Sequence, residues 1–421
     1  MTKAYYTYRI QIANQERVKV QKWNTQHKLL GEPSGSFRYR NQQGEITKKI
    51  QSTQQSQQTD TGTLRSLGET LFTTLFDDVL RQDFVNFYHQ VIQDKQLLRI
   101  ELDIDEQVLP EIAAIPWEFL CLPASANLGN IWIGTDPNIA FARRRTEWIM
   151  APSIQVEPGE RLRIALAIAN PTGSSDLGVV IYDKVQTALE KLAQDQSERI
   201  ELLPIVNPAT PEALDTILEK KPHIFHFVGH GRLLNKNQEE VGEIALIDDI
   251  FNEALWVDAS FFSDLLKRQR PSVVMLQACE GGMLSSSQAF VGVSSRILQQ
   301  NIPVVVAMQH QISNIWASRF AYRFYERLAQ DYPVDIAVQD GRRAIALNTQ
   351  YHKRDFATPV LFMQVQDGYL FKHQDTIDQT QVERSHSNAP RLETDNSEKR
   401  NIPKIGAYTE KGDINIEHQS L

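Results

Sequence analysis

The chain has 421 residues, 41% of them hydrophobic and 23% charged, with a net charge of −8 and a pI near 5.8. That length allows two or three domains with real cores, and the acidic balance argues against a dedicated nucleic-acid binder, because phosphate contacts need a basic surface. Two cysteines make no disulfide framework, the first fifteen residues carry no apolar signal region, and no apolar run approaches membrane-spanning length, so a reduced, cytoplasmic protein without a membrane partner is expected.

The first stretches, TYRIQIANQ and ERVKVQKW, alternate with Ile10/Ile12 and Val18/Val20 on one face and predict strands. Residues about 40–62 are polar and Gln-rich with little to bury, which predicts a mobile loop. Leu64, Leu67, Leu71 and Leu75 then recur at helical spacing toward Phe84 and Phe87, and LLRIELDID alternates as a strand. In IPWEFLCLP, Trp117 beside Pro116 is read as core packing and Cys121 as a small buried hydrophobe. Arg143, Arg144 and Arg145 read as a solvated basic stretch, with an exposed processing site as the less favoured alternative. A boundary near 146–160 closes a smaller N-terminal α+β domain, 1–150.

From Arg161 strands and helices alternate. RLRIALAIANP, RIELLPIVNP, HIFHFVGHG, PSVVMLQAC and IPVVVAMQH predict five strands, and PVLFMQVQDGYLF a last one. Helices start near Asp183 and after the N-cap Thr210 with Pro211 in the first turn. Others cover FFSDLLKRQ, SSQAFVGVSSRILQQ, the segment with Trp316, Phe320 and Phe324, and a segment from near Asp335. GEIALIDD reads as an excursion. Continuous apolar runs in place of alternation argue for an α/β domain over 160–372, a mainly parallel sheet with helices on both faces. Residues 373–421 are polar, and a disordered tail is expected.

Two positions in that domain carry chemistry. His230 and Cys279 each close an apolar strand, which puts an imidazole and a thiol at the carboxyl ends of neighbouring parallel strands, the edge where α/β sheets collect their sites. A thiol becomes a good nucleophile once deprotonated, and an imidazole can take that proton. Gly231 lets backbone come close to a substrate, and the amides of Gly231 and Cys279 are natural donors to an oxyanion. A single strand-end cysteine or a lone histidine is often structural; the pairing is what points to catalysis. His223 and His226 sit inside their strand and are read as packing. A zinc site from His226, His230 and Cys279 lacks a second cysteine or a local ligand pair, so neither metal nor cofactor is expected. His310 ends the fifth strand at the same edge, as pocket wall or as a substrate-recognition residue. Neither a P-loop nor a G-x-G-x-x-G turn supports a nucleotide-binding domain.

The segments RIALAIANP, HFVGHG, VVMLQACEGG, IPVVVAMQH, FAYRFYERLAQ and PVDIAVQDGRRAI resemble the CHAT family, the bacterial caspase- and separase-like peptidases of clan CD, over roughly residues 64–371. Gln277-Ala278-Cys279 followed by Gly281, with His230 about 50 residues upstream, also approaches the caspase signature. The resemblance implies a caspase-like fold and a cysteine endopeptidase acting on a protein substrate, with His230 as base, Cys279 as nucleophile and Gly231 at the oxyanion. Gln277 stands where caspases carry a glutamine that helps hold an acidic P1 side chain. Many CHAT sequences have a serine there and Arg- or Lys-specific relatives an acid, so P1 preference stays open. Asp176, on the turn after the first strand of the second domain, is a candidate acidic pocket wall. No TPR-like period is present, so delivery of substrate falls to the N-terminal half, the tail or a partner. A protein activator and a stress, regulated-death or anti-phage role follow from the family alone. The alternative is a catalytically silent scaffold of the same fold.

Overall fold

The computed structural model describes residues 4–373 apart from 13, 55–59, 107, 126–127, 145–153, 158, 175, 237–238, 279–284 and 366–367. The expected disordered tail, save residue 373, lies outside the described residues.

The stretch 40–62 expected as a loop is helical over most of its length. Helix α1 spans Tyr39–Gln54 and α2 spans Thr61–Leu75. Tyr39, Ile46 and Thr53 are buried along one narrow stripe, and Lys49 Nζ reaches Thr70 Oγ1 of α2 at 2.6 Å. A few apolar contacts at helical spacing suffice when a neighbouring helix receives them, which a reading of polarity alone overlooks. The leucine-rich helix also ends sooner than its spacing suggests. Asp77 breaks the run by capping α3 (Asp78–Gln93), accepting a hydrogen bond from Leu80 N.

Among the described residues twelve strands form one sheet. They are β1 Tyr5–Ile12, β2 Arg17–Trp23, β3 Leu29–Gly31, β4 Ser34–Ser36, β5 Leu97–Ile104, β6 Ile139–Arg144, β7 Leu162–Ile168, β8 Ile200–Leu202, β9 Ile224–Gly229, β10 Val273–Ala278, β11 Val304–Met308 and β12 Pro359–Met363. Their order is β8-β7-β9-β10-β11-β12-β6-β5-β1-β2-β3, with β4 also paired to β2. Strands β8, β7, β9, β10 and β11 are parallel. Strand β12 runs antiparallel to β11 and leads into a second parallel block of β12, β6, β5 and β1. The carboxyl ends of β7, β9, β10 and β11 therefore share one edge of the sheet.

The apolar runs of β9 to β11 are explained by burial on both faces. Ile224, Val228, Met275 and Val306 join a core with Leu189 and Phe320 from the helices Asp183–Asp195 and Asn314–Ala329. Phe225, Phe227, Leu276 and Ala307 join a second core with Leu214, Phe262 and Ile297 from Pro211–Leu218, Ala259–Lys267 and Ser285–Gln299. The segment read as an excursion instead forms the middle of a three-stranded antiparallel sheet, Gly231–Lys236, Glu239–Ile247 and Ala254–Asp258. No helix among the described residues is long and apolar enough to cross a membrane.

The two halves of the sequence meet in this sheet at β6 and β12, where Phe362 pairs with Arg143, and residues 1–374 cluster as one unit. Charge is buried at that seam. Arg143 donates to both oxygens of Glu118 at 2.9 and 2.6 Å, and Glu118 also accepts from Gln309 Nε2 at 2.8 Å. Arg144 pairs with the buried Glu101, and Arg99 with Asp335 at 2.7 Å. Arg143 and Arg144 are thus neither a solvated stretch nor an accessible processing site, because each guanidinium sits in the interior opposite a carboxylate; Arg145 lies outside the described residues.

Candidate active site

Strands β9 and β10 pair in register, Val228 opposite Gln277 and Gly229 opposite Ala278. His230 follows β9 directly and is 1% exposed. Its Nε2 lies 2.7 Å from the carbonyl oxygen of Gly178, on the loop that leaves β7. A carbonyl can only accept, so Nε2 carries the proton and Nδ1 keeps the lone pair. Burial pushes the His230 pKa below the ordinary histidine value, with the bond to Gly178 opposing in part. The result is a neutral imidazole with a fixed tautomer and a basic nitrogen.

The next residue opens the three-stranded sheet. Gly231 pairs with Ile244 while Ala245 N donates to His230 O at 3.0 Å. That pattern makes Gly231–Ile244 a non-hydrogen-bonded pair, whose main-chain groups point away from the partner strand. The Gly231 N–H is therefore directed outside this ladder, as an oxyanion donor would need. Cys279 lies outside the described residues.

The printed contacts of Gln277 and His310 are with side chains other than His230. Gln277 is 1% exposed, and its Oε1 lies 3.0 Å from His226 Nε2, so its amide is engaged beneath the strand end. Asp176 is exposed, two residues before Gly178 on the same loop. His310, two residues past β11, is buried against Phe119 of the N-terminal half, with ring centroids 6.1 Å apart. Among the described residues no group of three or more His, Cys, Asp or Glu side chains could hold a metal ion. Two contributors escaped the sequence reading. Gly178 acts through its carbonyl and so leaves no side-chain signature. Glu118 had one, a carboxylate inside the apolar PWEFL run that implies a buried cation.

His226 and His310 give this edge a pH dependence. Burial lowers His226 to about 4; burial, then Arg354 and Arg143, lowers His310 to about 3. Between those values and the ordinary 6.5 the unfolded chain binds more protons than the folded one, so stability falls as pH falls through that window. Urea midpoints measured from pH 7 to pH 4 are expected to decline, and His226→Leu to decline less steeply. Parallel curves for the two proteins would remove His226 as a cause.

The family model described as CHAT domain matches residues 65–390. No curated protein matches. Among solved structures, the separase of the Saccharomyces cerevisiae separase–securin complex is similar at 12% identity with a TM-score of 0.46, covering 85% of this chain and 30% of that one. The Arg-specific cysteine proteinase gingipain R is similar at 12% identity with a TM-score of 0.40, covering 79% of this chain and 76% of that one. The chain thus spans about a third of the separase chain that it matches.

Proposed function

Because the chain belongs to the CHAT domain family, we propose that it is a cysteine endopeptidase in which Cys279 attacks a peptide carbonyl of a protein substrate and His230 is the base. The observation that carries this reading is the 2.7 Å bond from His230 Nε2 to Gly178 O, which leaves Nδ1 to accept a proton. The register of β9 and β10 supports the pairing, since Gly229 and Ala278 lie opposite one another immediately before the two residues. Nδ1 takes the thiol proton as sulfur bonds to the carbonyl carbon. The oxyanion then faces the Gly231 and Cys279 amides, each such donor being worth about 3–4 kcal/mol. As the tetrahedral intermediate collapses, His230 returns the proton to the leaving amine. Water, deprotonated by the same ring, releases the acyl group and restores the thiol. A reducing compartment such as the cytoplasm suits a reaction that needs a free thiol.

The test uses wild type and Cys279→Ala with a peptide library scanning P1, with and without candidate protein activators, and a peptidyl acyloxymethyl ketone. One adduct is expected, on Cys279. Cys121 is fully buried and its thiol is pushed up to about 12, chiefly by burial, so it offers no competing thiolate. Equal labelling of both proteins, or no cleavage and no adduct in wild type with every activator, would move the assignment to a silent scaffold.

A further inference from the structure

We propose that Ile315, Trp316, Arg319 and Lys353 form a docking surface for an acidic peptide segment of a protein partner, one with a large apolar side chain among its carboxylates. The inference goes beyond the peptidase reading and does not depend on it. Trp316 lies in the first turn of the helix Asn314–Ala329 and is half-buried. The Arg319 guanidinium stands 5.4 Å from its ring centroid and Lys353 Nζ 6.0 Å, so one indole carries two cations. Ile315, 53% exposed, precedes Trp316 and lies one turn before Arg319, on the same side of the helix.

Neither cation has a paired acid. On the same two helices, Glu326 and Asp340 are already matched to Arg323 and Arg327, each at 2.5 Å. Among the described residues no ion pair includes Arg319 or Lys353. Arg319 Nη1 instead donates to Asn348 Oδ1 at 2.8 Å, which holds the guanidinium beside the indole without cancelling its charge. Asp355, two residues after Lys353, is buried and accepts from Ser313 N at 3.5 Å, so it faces inward. Asp183 is engaged by Asn314 Nδ2 at 2.6 Å, and Asn314 lies about 200° round the helix from Trp316.

Charge complementarity identifies the occupant. Two unpaired cations call for carboxylates, and the indole with exposed Ile315 offers an apolar contact between them. Trp and Arg are also the side chains on which binding energy at protein interfaces concentrates. A nucleic-acid backbone fits less well, because two cations release few counterions and phosphates gain nothing from Ile315.

The test uses fluorescein-labelled dodecapeptides in which Asp and Glu surround Leu, Phe or Trp at varied positions, titrated onto the full chain by fluorescence anisotropy at low ionic strength. Saturable binding is expected, about tenfold weaker or more when Ser replaces the apolar residues. Binding should be lost when Lys replaces the acids. Arg319→Glu combined with Lys353→Glu should weaken the best peptide about tenfold or more. Trp316→Ala should do the same, and Ile315→Ser, at an exposed site, keeps the apolar contact testable where Trp316→Ala melts early. No saturable binding by any peptide, equal binding of the Lys versions, or unchanged affinity in the variants would overturn the proposal. Self-association abolished by the charge reversal would overturn it in favour of a second copy of the chain. Tighter binding of a labelled oligothymidylate, lost in the same variants, would overturn it in favour of nucleic acid.

Discussion

Cys279→Ala is expected to reduce peptide cleavage to background, a loss of about 10^4-fold or more, with the fold intact. His230→Ala should fall nearly as far, because nucleophile and base act as a unit, and the double variant should be little worse than either alone. The same pair predicts a pH profile. His230 is buried, so its pKa lies below the ordinary value and the neutral base persists into mildly acidic solution. The acid limb of kcat/KM, which reports the free enzyme, should therefore have its midpoint under 6.5. His230→Gln can donate to Gly178 but offers no basic nitrogen, so it should preserve the loop and still lack activity. Stopped assays with the best peptide from the P1 scan, run on all four variants, decide the matter. Substantial cleavage by His230→Gln would remove His230 as the base, and an acid midpoint above 6.5 would contradict its burial.

The largest effect on stability is expected at Glu118. It is fully buried, receives two bonds from Arg143 and one from Gln309, and stands between the two blocks of the sheet. Glu118→Ala would leave the Arg143 guanidinium buried without its counter-charge, a loss of about 3–5 kcal/mol. Glu118→Gln should cost less, since an amide oxygen can still accept one of those bonds. Removing both charges with Glu118→Leu and Arg143→Leu should recover only part of the deficit. Arg143 also donates to the carbonyls of Ala113 and Ile115 at 2.7 and 3.0 Å, and those acceptors would be left buried and unpaired. Urea denaturation at neutral pH measures each step, with an unchanged m-value as the condition for reading midpoints as stability. A shift under about 1 kcal/mol in Glu118→Ala would show that this pair does not secure the seam.

How much could be read in advance differs between elements. HIFHFV, VVMLQA and VVVAM are legible as parallel core strands because burial on both faces demands apolar residues at every position. Their strand-end His230 follows from the same pattern, and so does its Gly231 neighbour. The polar segment 40–54 was not legible, because its helix rests on a stripe of a few side chains that only α2 makes worthwhile. Gln277 looks like a pocket residue from its place near Cys279, yet its side-chain oxygen is engaged by His226, one turn of the pleat back on the neighbouring strand. Arg143 and Arg144 follow an apolar strand and read as exposed, and only their partners Glu118 and Glu101, far off in sequence, account for their burial.

Sequence by itself determined the α/β class and the strand ends, since period, apolar runs and glycine positions are local physical requirements. Tertiary structure alone decided which nitrogen of His230 is basic, that one sheet runs through both halves, and that Arg143 meets Glu118 in the interior. Each of these depends on a contact between segments distant in the chain, and no local pattern encodes which carbonyl, carboxylate or strand will arrive there.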